Sequence, residues 1–187
     1  AVVLFMLPND PHIYVMAMFW LPEELLERRV REDRIPYDLW KDQGYLRTCE
    51  GNKVRQKDVT DWFLEVQNDL DCYIYRGGYD AWSGSYWVDE MQETFGKGVF
   101  TPVQQTMKVL SLPMKQLGAD FDSKLIVYNN NPVLKWCLAN TGVVEDKNGN
   151  IKPNKTSKAR KRIDGLAALL DAFVVFQDCQ DDYKSML

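Results

Sequence analysis

Histidine is almost absent. His12 is the only one among 187 residues, so a zinc site built on imidazoles and a Ser-His-Asp triad have no material here. His12 itself falls in the turn Asn9-Asp10-Pro11-His12. Cysteine is sparse too. Cys49, Cys72, Cys137 and Cys179 lie far apart and form no C-x-x-C pair, which points to reduced thiols in a cytosolic protein. No apolar run approaches the ~20 residues of a membrane span, and no basic stretch precedes the apolar start, as a signal peptide requires. Opening on Ala1, already inside an apolar strand, the chain reads as a fragment of something longer. It has no G-x-x-x-x-G-K-[S/T] and hence no phosphate loop of its own. A basic surplus is also missing: the net charge of −4 excludes a wholly basic nucleic-acid binder, though not a local basic patch. Any metal chemistry must therefore rest on oxygen ligands, which suit magnesium or manganese.

What is present fits one α/β domain with a sizeable core, at 45% hydrophobic and 27% charged residues. Residues 1–7 and 13–20 read as two strands of a hairpin across the Pro8–Pro11 turn. A short helix is expected from Leu21-Pro22, fading through Arg28, Arg29 and Arg31. Residues 35–54 read as irregular, tethered by Tyr37, Trp40 and Leu46. Val59, Trp62, Phe63 and Val66 recur at helical spacing and predict a helix over 57–70. Further helices are expected over 81–95, 112–121, 132–139 and 160–177, and strands over 99–103 and 124–128. A hairpin is expected around Asn148-Gly149 in 143–151. Strands alternating with helices imply a mixed sheet with helices on both faces.

The stretch that organises the rest is Cys72-Tyr-Ile-Tyr-Arg-Gly-Gly-Tyr-Asp80-Ala-Trp82. Its aromatic and β-branched residues predict a buried strand, Gly77 and Gly78 allow another segment to approach closely, and Asp80 stands where the strand stops. Ligands of open α/β sheets bind outside such carboxyl ends. The plainer alternative is that Asp80 caps a helix beginning at Ala81. A second acid, Asp164, opens the last helix beside its apolar stripe, where the alternative role is to complement the helix dipole. Asp171, seven residues on, shares that face and reads as an exposed or bridging charge. Lys152, Lys155, Lys158, Arg160, Lys161 and Arg162 form a basic run with no acid between them. Such runs are often solvated, but this one leads into Asp164 and can track phosphates beside a metal site.

Several stretches taken in order resemble one family: F-W-L-P, I-P-Y-D-L-W-K-D-Q-G-Y-L, G-G-Y-D-A-W, L-S-L-P-M-K-Q-L, N-P-V-L-K-W-C-L-A-N-T and R-I-D-G-L-A-A-L. Together they span nearly the whole chain and resemble the C-terminal nuclease domain of the large terminase subunit of tailed bacteriophages. The resemblance implies a ribonuclease-H-like fold over residues 1–187 and an endonuclease that cuts concatemeric double-stranded DNA during packaging, in the cytoplasm of a bacterial host. It implies two divalent metals held by acids from the first strand, the fourth strand and the last helix. Asp80 matches the fourth-strand acid and Asp164 the last-helix acid. They are expected to share metal, on the order of 4–8 Å apart given ligand distances near 2 Å. The first-strand acid has no match, so that strand and the ATPase motor are expected upstream. The sheet is then expected to have a gap and this piece to be an impaired nuclease. The terminase small subunit and the portal protein are the implied partners, and no membrane is. A non-catalytic DNA-binding or portal-docking module on the same fold is the alternative.

Overall fold

The computed structural model describes residues 1–155 and 161–187. Strand β1 (Val2–Phe5) pairs antiparallel with β2 (Ile13–Ala17), and β2 pairs in parallel with β7 (Ile126–Val127). The expected strand over 13–20 is therefore two. It breaks at Met18, and β3 (Phe19–Pro22) leaves to pair in parallel with β4 (Leu46–Cys49). The stretch expected to be irregular holds that strand and helix α2 (Tyr37–Asp42). Both are too short for a periodic signal. A 3-10 turn at Glu23–Leu25 leads into α1 (Leu26–Asp33).

Helix α3 (Gln56–Asp69) matches its periodicity. The strand expected from Cys72 is shorter: only β5 (Gly77–Asp80) pairs, in parallel with β6 (Phe100–Val103). The helix expected from Ala81 begins later, as α4 (Val88–Phe95), because the Asp80 side chain holds the intervening residues in turns. Helix α5 (Met107–Asp122) starts before its Pro113, from a Thr106 hydroxyl that accepts from the Val109 amide. Helix α6 (Pro132–Asn140) is capped by Asn131, whose side-chain oxygen accepts from Val133 and Leu134 N–H. The hairpin β8 (Thr141–Glu145) and β9 (Ile151–Lys155) turns at Asn148-Gly149, with Gly149 at φ 77°. Helix α7 (Asp164–Lys184) ends the chain.

Successive strand residues face opposite layers. Val2 packs with Leu166, Leu170 and Phe173 of α7 and with α5, whereas Val3 packs with Trp62, Phe63 and Val66 of α3 and with Met91 of α4. The sheet is thus mixed and covered on both faces, as expected.

One edge is incomplete. Ala1 and Met18 exchange both backbone hydrogen bonds (2.9 and 3.1 Å), so Val2 and Leu4 turn their N–H and C=O groups away from β2. Gly77 and Ala81 donate to β6 at Val99 and Val103 (2.9 and 3.3 Å), so Gly78 and Asp80 turn theirs away from β6. Both free edges line one cavity, floored by α7. At about 380 Å³ it has room for a peptide segment and not merely a few waters.

Candidate active site

Two glycines set the site. A Cβ on Gly77 would overlap the Phe100 ring. One on Gly78 would fall 2.6 Å from the Asp171 carbonyl oxygen and 2.8 Å from Val175. The bare Gly78 lets α7 lie directly on β5, whereas the bare Gly77 admits the Phe100 ring on the other face, and the Gly78 contact brings Asp171 next to Asp80.

Asp80, at the carboxyl end of β5, is half-buried. Its carboxylate accepts from the Trp82 amide (2.9 Å) and the Ser83 hydroxyl (2.7 Å). These bonds orient the carboxylate, and Asp80 lines the cavity. Asp171 lines the same cavity and is only 5% exposed. Gln105 donates to it from its side-chain amide (2.8 Å) and also reaches the Val103 carbonyl (3.2 Å). Burial pushes the Asp171 carboxyl up to about 6; the Gln105 bond opposes the rise and the Asp80 charge adds to it. Two carboxyl groups whose environments differ this much are a common arrangement in acid-base and metal sites.

Asp171 corrects the expectation that it is exposed or bridging. The signal was present. Residues 165–176 are apolar on nearly every side but for this acid, and a helix that is apolar all round is buried all round. Gln105 and Ser83 carried no comparable signal, since only the fold brings them to the two acids.

Asp164 lies elsewhere. It is exposed at the first turn of α7 and lines a second cavity with Arg162, Tyr37, Trp136 and Cys137. Its charge is felt at the Cys137 thiol and the Ala1 amino group. The two acids expected to share metal thus line different cavities, and the neighbour of Asp80 is Asp171. Seven helical residues separate Asp164 from Asp171, about 10 Å along the axis. Among the described residues, no three His, Cys, Asp or Glu side chains gather closely enough to hold a metal ion.

Of the basic run, Lys152 and Lys155 lie on β9, and Lys161 and Arg162 precede α7. Arg162 lines the second cavity, and its carbonyl accepts from the Asn140 side chain (3.1 Å). Lys158 and Arg160 lie outside the described residues.

Residues 1–179 match the family described as terminase large subunit, endonuclease domain. The chain belongs to that family. It is 32% identical over 159 residues to the terminase large subunit of Enterobacteria phage HK97, covering 83% of this chain and 30% of that protein. Protein YmfN of Escherichia coli (strain K12) is 23% identical over 171 residues, covering 86% of this chain and 36% of that protein. The crystal structure of the HK97 bacteriophage large terminase superimposes with a TM-score of 0.78 at 29% identity, over 89% of this chain and 34% of that one. The terminase nuclease domain therefore has here the mixed, ribonuclease-H-like sheet with flanking helices that its motifs implied. It spans about a third of the length of these relatives. Among the described residues, no helix is long and apolar enough to cross a membrane.

Proposed function

We propose that this terminase nuclease domain is a divalent-metal-dependent endonuclease that cuts concatemeric double-stranded DNA during genome packaging. The observation that carries this is the pairing of Asp80 with the buried Asp171 at the carboxyl end of β5. The donors there are all oxygen: two carboxylates, with the Ser83 hydroxyl and the Gln105 amide beside them. That set fits magnesium or manganese and suits no softer metal. Asp80 and Asp171 would hold the ion. Two such ions bound there supply the charge that activates a water and stabilises the leaving oxygen of a phosphodiester.

The protein's own part is to prepare those ligands. Trp82 N–H and Ser83 Oγ–H hold the Asp80 carboxylate toward the cavity. Gln105 keeps the Asp171 carboxylate from rotating, and burial raises its proton affinity, so a cation bound there would displace that proton to solvent and offset the buried charge. Asp164 lies too far along α7 to share one ion with both other acids, and it serves a second ion or the rim. The free edges of β1 and β5 would take one further strand from the longer protein, and with it the first-strand acid that the family carries. The terminase small subunit, the portal protein and an upstream ATPase domain are the partners of that longer protein in the bacterial cytoplasm.

The donor count favours a second reading. Two acids without a third are what a DNA-binding or portal-docking module would retain. Cleavage of plasmid DNA in manganese separates the two. Asp80→Ala and Asp171→Asn are expected to lower the rate at least about a hundredfold, with Asp164→Ala losing less. A parent that does not cleave in manganese assigns the chain to the module, and cleavage by Asp80→Ala at the parent's rate removes Asp80 from the site.

A further inference from the structure

The loop between Asp80 and Trp87 is fixed at both ends and turns its largest side chains outward. At one end the Asp80 carboxylate accepts from Trp82 and Ser83, and its carbonyl accepts from the Gly84 amide (2.8 Å). A Cβ on Gly84 would sit 2.6 Å from the Tyr79 ring, so the loop lies flat on that ring. At the other end the Trp87 indole N–H donates to the Thr60 hydroxyl (3.0 Å), and its ring packs on Phe63 and Phe100. Between these anchors Trp82 is 84% exposed and Tyr86 85% exposed. Rings of this kind bury roughly 150–250 Å² when they have a partner. Two held in water by an otherwise anchored loop mark a contact surface.

The occupant follows from position and chemistry. Trp82 is two residues from Asp80, at most about 7 Å along the chain, and successive nucleotides of a strand rise about 3.4 Å each. A phosphodiester at Asp80 therefore puts its flanking bases within reach of these rings. Residues 81–86 include no Lys or Arg, so the loop is not built for phosphates. Stacking on base faces asks for aromatic planes and no charge.

We propose that Trp82 and Tyr86 stack on unpaired bases beside the scissile phosphodiester, so that the site takes locally opened DNA in preference to intact duplex. This rests on the nuclease reading above, and the test separates the two. The 187-residue chain is titrated in metal-free buffer with duplexes that carry 2-aminopurine either in a three-base bulge or fully paired. Anisotropy gives affinity, and 2-aminopurine emission reports stacking.

The parent is expected to bind the bulged duplex roughly tenfold more tightly and to quench its emission. Trp82→Ala and Tyr86→Ala are each expected to lose about tenfold on the bulged duplex and nothing on the paired one. Trp82→Phe should keep most of the quench. Both side chains are exposed, so the melting temperatures should be unchanged. A double alanine variant with the parent's affinity and quench overturns the stacking proposal and assigns the rings to a protein partner, whatever the cleavage assay shows. A parent that prefers paired duplex also overturns it. A parent that stacks bulged DNA but does not cleave DNA in manganese supports the stacking and removes the nuclease reading.

Discussion

Asp171 is where an ionised carboxylate is costly. Its folded pKa, about 6, stands roughly two units above the ordinary 3.8. The folded state therefore binds the proton more tightly than the unfolded one. Without metal, that stability is fully present below about pH 4, declines as pH rises to about 6, and stays lost above, a change on the order of 3 kcal/mol. Asp171→Asn keeps the shape and the Gln105 partner without the charge. In EDTA, thermal melts of this variant are expected to lose the decline that Asp171 causes between about pH 4 and 6 and to lie above the parent's at pH 7, and in manganese its cleavage is expected to be lost. A variant less stable than the parent at pH 7 would mean that a cation or donor already compensates the carboxylate. Asp80 pushes the same group upward, so Asp80→Asn should move the midpoint of the parent's pH dependence down.

At the scale of elements, the contact between β5 and α7 depends on the missing side chain of Gly78. Gly78→Ala would drive a methyl into the Asp171 carbonyl and the Val175 side chain, and neither backbone can retreat without opening the core. The expected cost is about 1–3 kcal/mol, read as a melting point lower by roughly 3–10 °C in a chain of this size. Cleavage should fall with it, since the same shift separates Asp80 from Asp171. An unchanged melting point would show that α7 does not rest on β5. Helices α3, α6 and α7 were legible because their apolar residues recur at 3.6 or their caps are explicit. The failures have local causes. Residues 81–87 carry two serines and Gly84, weak helix formers, and Asp80 bonds its side chain to the backbone two residues on, which competes with a helix. Strands β3, β4 and β5 are four residues each, too short for alternation to stand out.

Across the whole molecule, the open slot between β1 and β5 sets the behaviour of the chain. Val2, Leu4 and Gly78 turn backbone groups into it, and buried unpaired groups cost about 1–3 kcal/mol each. A version of the protein extended upstream is expected to protect these amides from hydrogen exchange and to cleave plasmid DNA faster in manganese. Equal protection in both versions would show that the slot takes no strand. The proposed DNA contact of the basic run belongs to this scale too, since it would act through summed charge. Replacing Lys152, Lys155 and Lys161 by Ala is expected to flatten the slope of log K against log salt by about 3 if each meets one phosphate, and to weaken all sequences alike. An unchanged slope assigns these lysines to solvent.

Composition, periodicity and motif order were enough for the class of fold, the family and Asp80 at a strand end. These follow from local rules: residue type, spacing, and what a turn or cap demands. The partner of Asp80 was not available at that level. Asp164 and Asp171 share a helix face and differ by about two turns, and nothing in the chain says which of them a strand almost a hundred residues earlier will meet. That choice lies in where Gly78 lets α7 settle against β5, and hence in a close-packed contact between segments distant in sequence. Packing of that kind also buries Asp171, brings Gln105 to it, and leaves Trp82 and Tyr86 outside.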